Sequence, residues 1–240
     1  MNILITGGAS GLGEAITKRF SKDIKNKVYF TYNGSISNAG VIEKEFQNTK
    51  AFKCNFKDSD DVTLLKNKIN ELDLDVLINN AYSGAFIKTY FHKIPSSDFL
   101  NDFKENIIPT IEITQAAINV FRKKKSGKII TVLTSALANI PPIGAAVYVA
   151  NKNYLSSLVK VWASENAKFN CTSNSVSPSF MQTDLTSSVD ERVVEQMIEN
   201  HPLKKLLTVD EVAETIYFLA NATSQINGID LLVNAGTTLK

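Results

Sequence analysis

The feature that most constrains this chain is the alternation of short apolar runs with helix-length stretches. The runs are Asn2–Thr6, Lys27–Tyr32, Ala51–Cys54, Asp75–Asn79, Lys128–Thr134, Asn174–Ser177 and Ile229–Val233. Between them, apolar residues recur near every 3.6 positions, as over Gly13–Phe20, Val62–Leu72, Phe99–Phe121, Tyr148–Ala167 and Val209–Ala222. Parallel neighbours need right-handed crossovers about a helix long. The pattern therefore implies an α/β fold: a doubly wound parallel sheet of about seven strands with helices on both faces. The stretch Asn170–Ser177, NCTSNSVS, is polar for a buried strand and is assigned one by its place in the order. With 240 residues, 44% of them hydrophobic, the chain can fill one sizeable core, so a single domain over residues 1–240 is expected.

Composition excludes several functions. The net charge is +2, from 26 basic and 24 acidic residues, which suggests neither nucleic acid nor an anionic membrane as a partner. The run Arg122–Lys125 reads as a helix C-terminus, where cations complement the dipole. The opening MNILITGG lacks the basic and apolar regions of a signal peptide, and no segment reaches the roughly 18 apolar residues of a membrane span. A cytoplasmic location is expected. Cys54 and Cys171 read as reduced core cysteines, and with only His92 and His201 beside them no metal site is expected.

The first strand runs into TGGASGLGEA, Thr6 to Ala15, with glycines spaced G-x-x-x-G-x-G at Gly7, Gly11 and Gly13. Glycine permits positive φ in a tight turn and close approach of backbone to a pyrophosphate, and the following helix offers that anion its unpaired N–H groups. Such a turn alone also serves plain chain reversal; its place between strand one and helix one points to a dinucleotide. An acid at the end of strand two holds the ribose of NAD and would repel a 2′-phosphate. Here that region, FTYNGSISN from Phe30 to Asn38, contains no Asp or Glu, while Asn33, Ser35 and Ser37 offer donors. It also lacks arginine. The sequence favours NADP(H) and leaves NAD(H) open.

Tyr148 and Lys152 lie four residues apart, one helical turn on one face. Chance supplies roughly 0.7 such pairs in a chain of this composition, so the pair needs company. Ser135 ends strand five, thirteen residues before Tyr148, and NNAYSG from Asn79 ends strand four. Ligands of open parallel sheets bind at this C-terminal edge. Pro109, inside a helical pattern, lacks an N–H and clashes with the carbonyl of Glu105, so a kink is expected beside Asn106.

With these motifs on nearly the whole chain, from about Ile3 to Gly236, the sequence resembles the short-chain dehydrogenase/reductase family, a single-domain Rossmann-like fold. The family's T-G-x-x-x-G-x-G falls on Thr6, Gly7, Gly11 and Gly13, with Ser10 and Leu12 inside it. Its N-N-A-G falls on Asn79, Asn80 and Ala81, then departs at Tyr82. Its Ser, Tyr, Lys and Asn fall on Ser135, Tyr148, Lys152 and Asn106. The resemblance implies hydride transfer between a nicotinamide and a carbonyl or secondary alcohol. In it Tyr148 moves the proton, Lys152 lowers the Tyr148 pKa and binds the nicotinamide ribose, Ser135 holds the substrate oxygen, and Asn106 fixes a relay water.

It places Asn33, Asn55, Phe56, Asn80, Ala81, Pro178 and Thr183 along the cofactor, a substrate lid at 179–205, and a homo-oligomer, dimer or tetramer, through the helices of Asn106 and Tyr148. Ser179 and Asn55 also depart from the family's usual Gly and Asp. Within the family, a ketone or 3-oxoacyl reductase and an NAD-dependent alcohol or sugar dehydrogenase both fit. A non-catalytic dinucleotide-sensing or scaffold protein is the alternative outside enzymes.

Overall fold

The computed structural model describes residues 1–83, 89–183, 186–187 and 189–238. In chain order the main elements are β1 (Asn2–Ile5), α1 (Gly11–Ser21), β2 (Lys27–Tyr32), α2 (Ile36–Glu45), β3 (Thr49–Lys53), α3 (Ser59–Glu71), β4 (Val76–Asn79), α4 (Ser96–Asp102), α5 (Ile108–Lys124), β5 (Gly127–Val132), α6 (Ala146–Asn166), β6 (Cys171–Pro178), α7 (Glu191–Asn200), α8 (Val209–Asn221) and β7 (Asp230–Val233). The strands form one seven-stranded sheet in the order β3-β2-β1-β4-β5-β6-β7, every pair parallel. The order reverses between β1 and β4, which opens a crevice beyond their C-terminal ends.

Alternate residues of each strand feed opposite faces. Ile3, Ile5, Val28 and Phe30 meet Ile16 and Phe20 of α1 and Ile216 and Leu219 of α8. Leu4, Leu77 and Ile129 meet Leu65 of α3, Phe121 of α5 and Trp162 of α6 on the other side. Continuous apolar strands are thus covered twice, as the sequence pattern required.

Two expectations need correction. The stretch Phe99–Phe121 is not one helix. Its middle turn opens into a π-helix over Phe103–Ile107, and Pro109 sits in the first turn of α5. Proline gives Glu105 no i+4 donor, and the wider turn accommodates the missing bond. The second concerns α2, which the sequence did not suggest. Only Ala39 and Ile42 of it are buried, too few for a periodic signal.

The polar strand β6 is buried along its full length. Three of its polar side chains find partners in β7 and the segment that leads into it, while the Ser173 hydroxyl is buried without one among the described residues. Ser175 and Ser177 both donate to Oδ1 of Asp230 at 2.8 Å. Asn174 donates to the Ile226 carbonyl at 2.9 Å and accepts from the Ile229 amide at 3.1 Å. Buried polar groups with partners cost little; the same groups orphaned cost much. Asp230→Ala should therefore lower the free energy of unfolding by about 2 kcal/mol in urea titrations, and Asp230→Asn, which keeps the acceptor, by clearly less.

Candidate active site

The crevice starts at the glycine turn. Gly7 has a φ of 66°, and its N–H donates to Oγ1 of Thr31 at 2.9 Å. Asn80 reaches across from β4, donating through Nδ2 to the carbonyls of Thr6 at 3.0 Å and Gly7 at 3.1 Å. In return Oγ1 of Thr6 accepts the N–H groups of Asn80 and Ala81, both at 3.0 Å. A Cβ at Gly13 would lie 1.9 Å from the Gly7 carbonyl oxygen, so only glycine lets α1 start this close to the turn. The first-turn N–H groups of α1 have no acceptor within the helix. They and the positive dipole end suit a pyrophosphate at this turn. The glycine cradle therefore fits the phosphates of a dinucleotide.

From there an open crevice of about 810 Å³ runs along the C-terminal edge of the sheet to α6. Of the cofactor and proton-transfer candidates read from the sequence, Thr6, Ser37, Asn79 and Asn106 stand outside its wall. Thr6 is buried under the turn as its hydrogen-bond hub. Asn106 is buried behind the loop that follows β4. Its Nδ2 donates to the carbonyls of Ser83 at 3.1 Å and Asp102 at 3.2 Å, and its Oδ1 accepts from the amide and hydroxyl of Ser83 at 2.7 and 3.2 Å. All four capacities of that amide are used. As arranged, it fixes the loop, and its side chain has no group left to hold a relay water. Asn55 accepts the Lys57 amide at 3.1 Å, so its Oδ1 already has one partner.

At the adenine end, Asn33, Gly34 and Ser35 line the wall with no acid among them. Thr183 reaches the other side of the glycine turn, where a Cβ on Gly11 would touch it at 3.5 Å. Residues 184, 185 and 188 of the expected lid lie outside the described residues. Within the rest, α7 carries no buried side chain, while Val193 and Met197 line the crevice. In the stretch before α4, Tyr90 and Phe91 are exposed.

Tyr148 lies in the first turn of α6 and Lys152 one turn on. The Tyr148 phenol is pushed up to about 12 by burial, against a hydrogen bond from Thr134 that lowers it. Its residue surface is only half-buried, because one side of the ring forms crevice wall while the rest sits deep. Lys152 is buried, and Nζ donates to the Val132 carbonyl at 2.8 Å. Burial pulls its ammonium down to about 8, and the charge of Asp102 opposes that. The expected lowering of the phenol by Lys152 is thus not what this arrangement does. The ammonium is 5.7 Å from the Tyr148 ring centroid and bonded elsewhere, so desolvation wins. Burial favours the neutral, protonated form of the Tyr148 phenol.

The sequence reading missed four supporting residues: Thr31, Thr134, Asp102 and Asn151. Asp102 precedes Asn106 by four positions and Asn151 adjoins Lys152, but the role of each depends on contacts between distant segments.

A family model described as Enoyl-(Acyl carrier protein) reductase matches residues 7–238. The chain is 29% identical to the 3-oxoacyl-[acyl-carrier-protein] reductase MabA of Mycobacterium tuberculosis, over 98% of this chain and 92% of that protein. A solved short chain dehydrogenase/reductase family protein superposes with a TM-score of 0.86 at 25% identity, over 98% of this chain and 96% of that one. The 3-ketoacyl-(acyl-carrier-protein) reductase of Brucella melitensis, complexed with NADH, shares the fold with a TM-score of 0.88 at 24% identity, over 99% and 98%.

The depressed Lys152 ammonium makes stability depend on pH. Between about 8 and the ordinary 10.5, the unfolded chain binds a proton that the native state does not, so stability rises with pH there. Urea unfolding at pH 8, 9 and 9.5 should show wild-type stability climbing relative to Lys152→Met, by about 1 kcal/mol per pH unit.

Proposed function

The chain belongs to the short-chain dehydrogenase/reductase family, and on that premise we propose that it reduces a ketone, of the 3-oxoacyl type, to a secondary alcohol with NADP(H). The observation that carries this reading is the placement of Ser135, Tyr148 and Lys152 on one crevice wall, opposite a glycine cradle shaped for a dinucleotide. A nicotinamide dinucleotide, when bound, supplies the hydride. The cradle at Gly7, Gly11 and Gly13 would hold its pyrophosphate, and Lys152 its nicotinamide ribose.

Ser135 holds the carbonyl oxygen by a hydrogen bond that strengthens as negative charge develops there. Tyr148 gives its phenolic proton to that oxygen, completing the alcohol. A phenol pushed up to about 12 is protonated at neutral pH, so the site favours donation, which is reduction. Proton recovery by the phenolate is helped by Lys152, whose ammonium near 8 can lose a proton in the working range.

Substrate class follows from the far end of the crevice. Ile140, Phe180, Met181, Val193 and Met197 make an apolar mouth suited to an acyl chain. The segment 179–205 is then a lid, with Val193 and Met197 closing over that chain. The absence of an acid beside Asn33 and Ser35 supports NADP(H) over NAD(H).

Tyr148→Phe should lower kcat/KM for a 3-oxoacyl thioester by 10²- to 10⁴-fold, while cofactor binding, read by nicotinamide fluorescence, persists. Retention of full turnover refutes the reaction. Asn33→Asp should cut kcat/KM with NADPH at least tenfold and spare NADH, because the new carboxylate repels the 2′-phosphate. An unchanged ratio between the two cofactors argues against the assigned adenine end.

A further inference from the structure

Tyr82 leaves β4 directly after Asn79–Ala81 and turns its ring into the crevice wall. It meets the Tyr148 ring in an edge-to-face pair, with centroids 5.1 Å apart and planes at 82°. Its face lies under Lys152, with Nζ 4.9 Å from the centroid. The hydroxyl donates to Oδ1 of Asp102 at 2.5 Å, and Nδ2 of Asn151, the residue before Lys152, donates to the same oxygen at 2.7 Å. One carboxylate therefore ties the loop after β4, the end of α4 and the second turn of α6 together. The charged and titratable groups facing Lys152 are Tyr82, Tyr148 and Asp102.

We propose that Tyr82 is a positioning residue: tethered through Asp102, its ring holds the Lys152 ammonium on one face and braces the Tyr148 ring in an edge-to-face pair. The proposal rests on the reaction assigned above, since the side chains it holds are those that move the proton. Tyr82 is not a second acid. Burial and the Asp102 carboxylate push its phenol far above the ordinary range, and its proton is committed to that carboxylate. Nor is it plain core packing, because it lines the crevice and its one polar atom has a charged partner. An aromatic face within about 6 Å of an ammonium attracts it, and the more so where water is excluded. An edge-to-face ring pair fixes the angle of both rings. Lys152 and Tyr148 sit on one helix, so a single ring placed between them sets both.

Two readouts test this. With NADPH and acetoacetyl-coenzyme A, Tyr82→Leu should lower kcat about tenfold with a smaller change in KM, and Tyr82→Phe, which keeps the ring, should recover most of the rate. In the cofactor-free protein, the ε-methylene signal of Lys152 is identified as the one absent from Lys152→Met in a carbon–proton NMR spectrum. It should lie upfield by ring current, move downfield in Tyr82→Leu and stay in Tyr82→Phe. Wild-type kcat in folded Tyr82→Leu, or an unmoved Lys152 signal, overturns the proposal. If Tyr82→Leu does not fold, Asp102→Ala takes its place: a several-fold drop in kcat supports the tether, and an unchanged kcat overturns it. Full activity in Tyr148→Phe refutes the reaction instead, and the NMR readout then decides by itself whether Tyr82 holds Lys152.

Discussion

The structure depends on the contact between the backbone of Gly13 and the carbonyl of Gly7. No side chain fits between them, since a Cβ would stand 1.9 Å from that oxygen. The approach sets where α1 begins, and α1 then packs on the first strands through Ile16 and Phe20. Asn80 and Thr6 lock the same turn to the end of β4 with reciprocal hydrogen bonds. The anion-suited helix end and the glycine wall of the crevice thus share one clasp, set where the strand order reverses between β1 and β4.

A second constraint is the amount of polar chemistry held inside. β6, Asn106, Lys152 and Asp102 carry groups that would destabilise the fold if left without partners. Partners answer most of them: Asp230 for Ser175 and Ser177 of β6, the approach to β7 for Asn174, Ser83 for Asn106, the Val132 carbonyl for Lys152, and Tyr82 and Asn151 for Asp102. Tyr148 and Lys152 thereby acquire their properties. Burial raises the Tyr148 phenol to about 12 and lowers the Lys152 ammonium to about 8, moving the two apart, so that the phenol keeps its proton more readily than the ammonium does. In water the two groups titrate within about half a unit of each other, so the separation comes from the fold.

Much of this was legible in the chain. The alternation of runs and helical periods identified the parallel sheet, because strands buried on both faces are mostly apolar along their length; polar β6 is the exception, recognised by its place in the order. The spacing of Thr6, Gly7, Gly11 and Gly13 marked the cradle, because only glycine meets its steric demand. Pro109 marked the interrupted helix, which the structure resolves as the π-turn over Phe103–Ile107. What stayed hidden was α2, with two buried residues, and the hydrogen-bond partners Thr31, Thr134, Asp102 and Asn151, none of which carries a local signature.

The sequence alone determined the doubly wound order, the glycine turn and the identities of Ser135, Tyr148 and Lys152, since steric and periodic rules act between near neighbours. Tertiary structure decided the rest. Whether Lys152 would tune Tyr148 depended on desolvation and on a carbonyl twenty residues away. Whether Asn106 would face the crevice depended on a loop that comes back from β4. Why Tyr82 stands after Ala81 became clear only when Asp102 and Lys152 were found around its ring. Long-range electrostatics and burial are properties of the folded arrangement, and no window of sequence contains them.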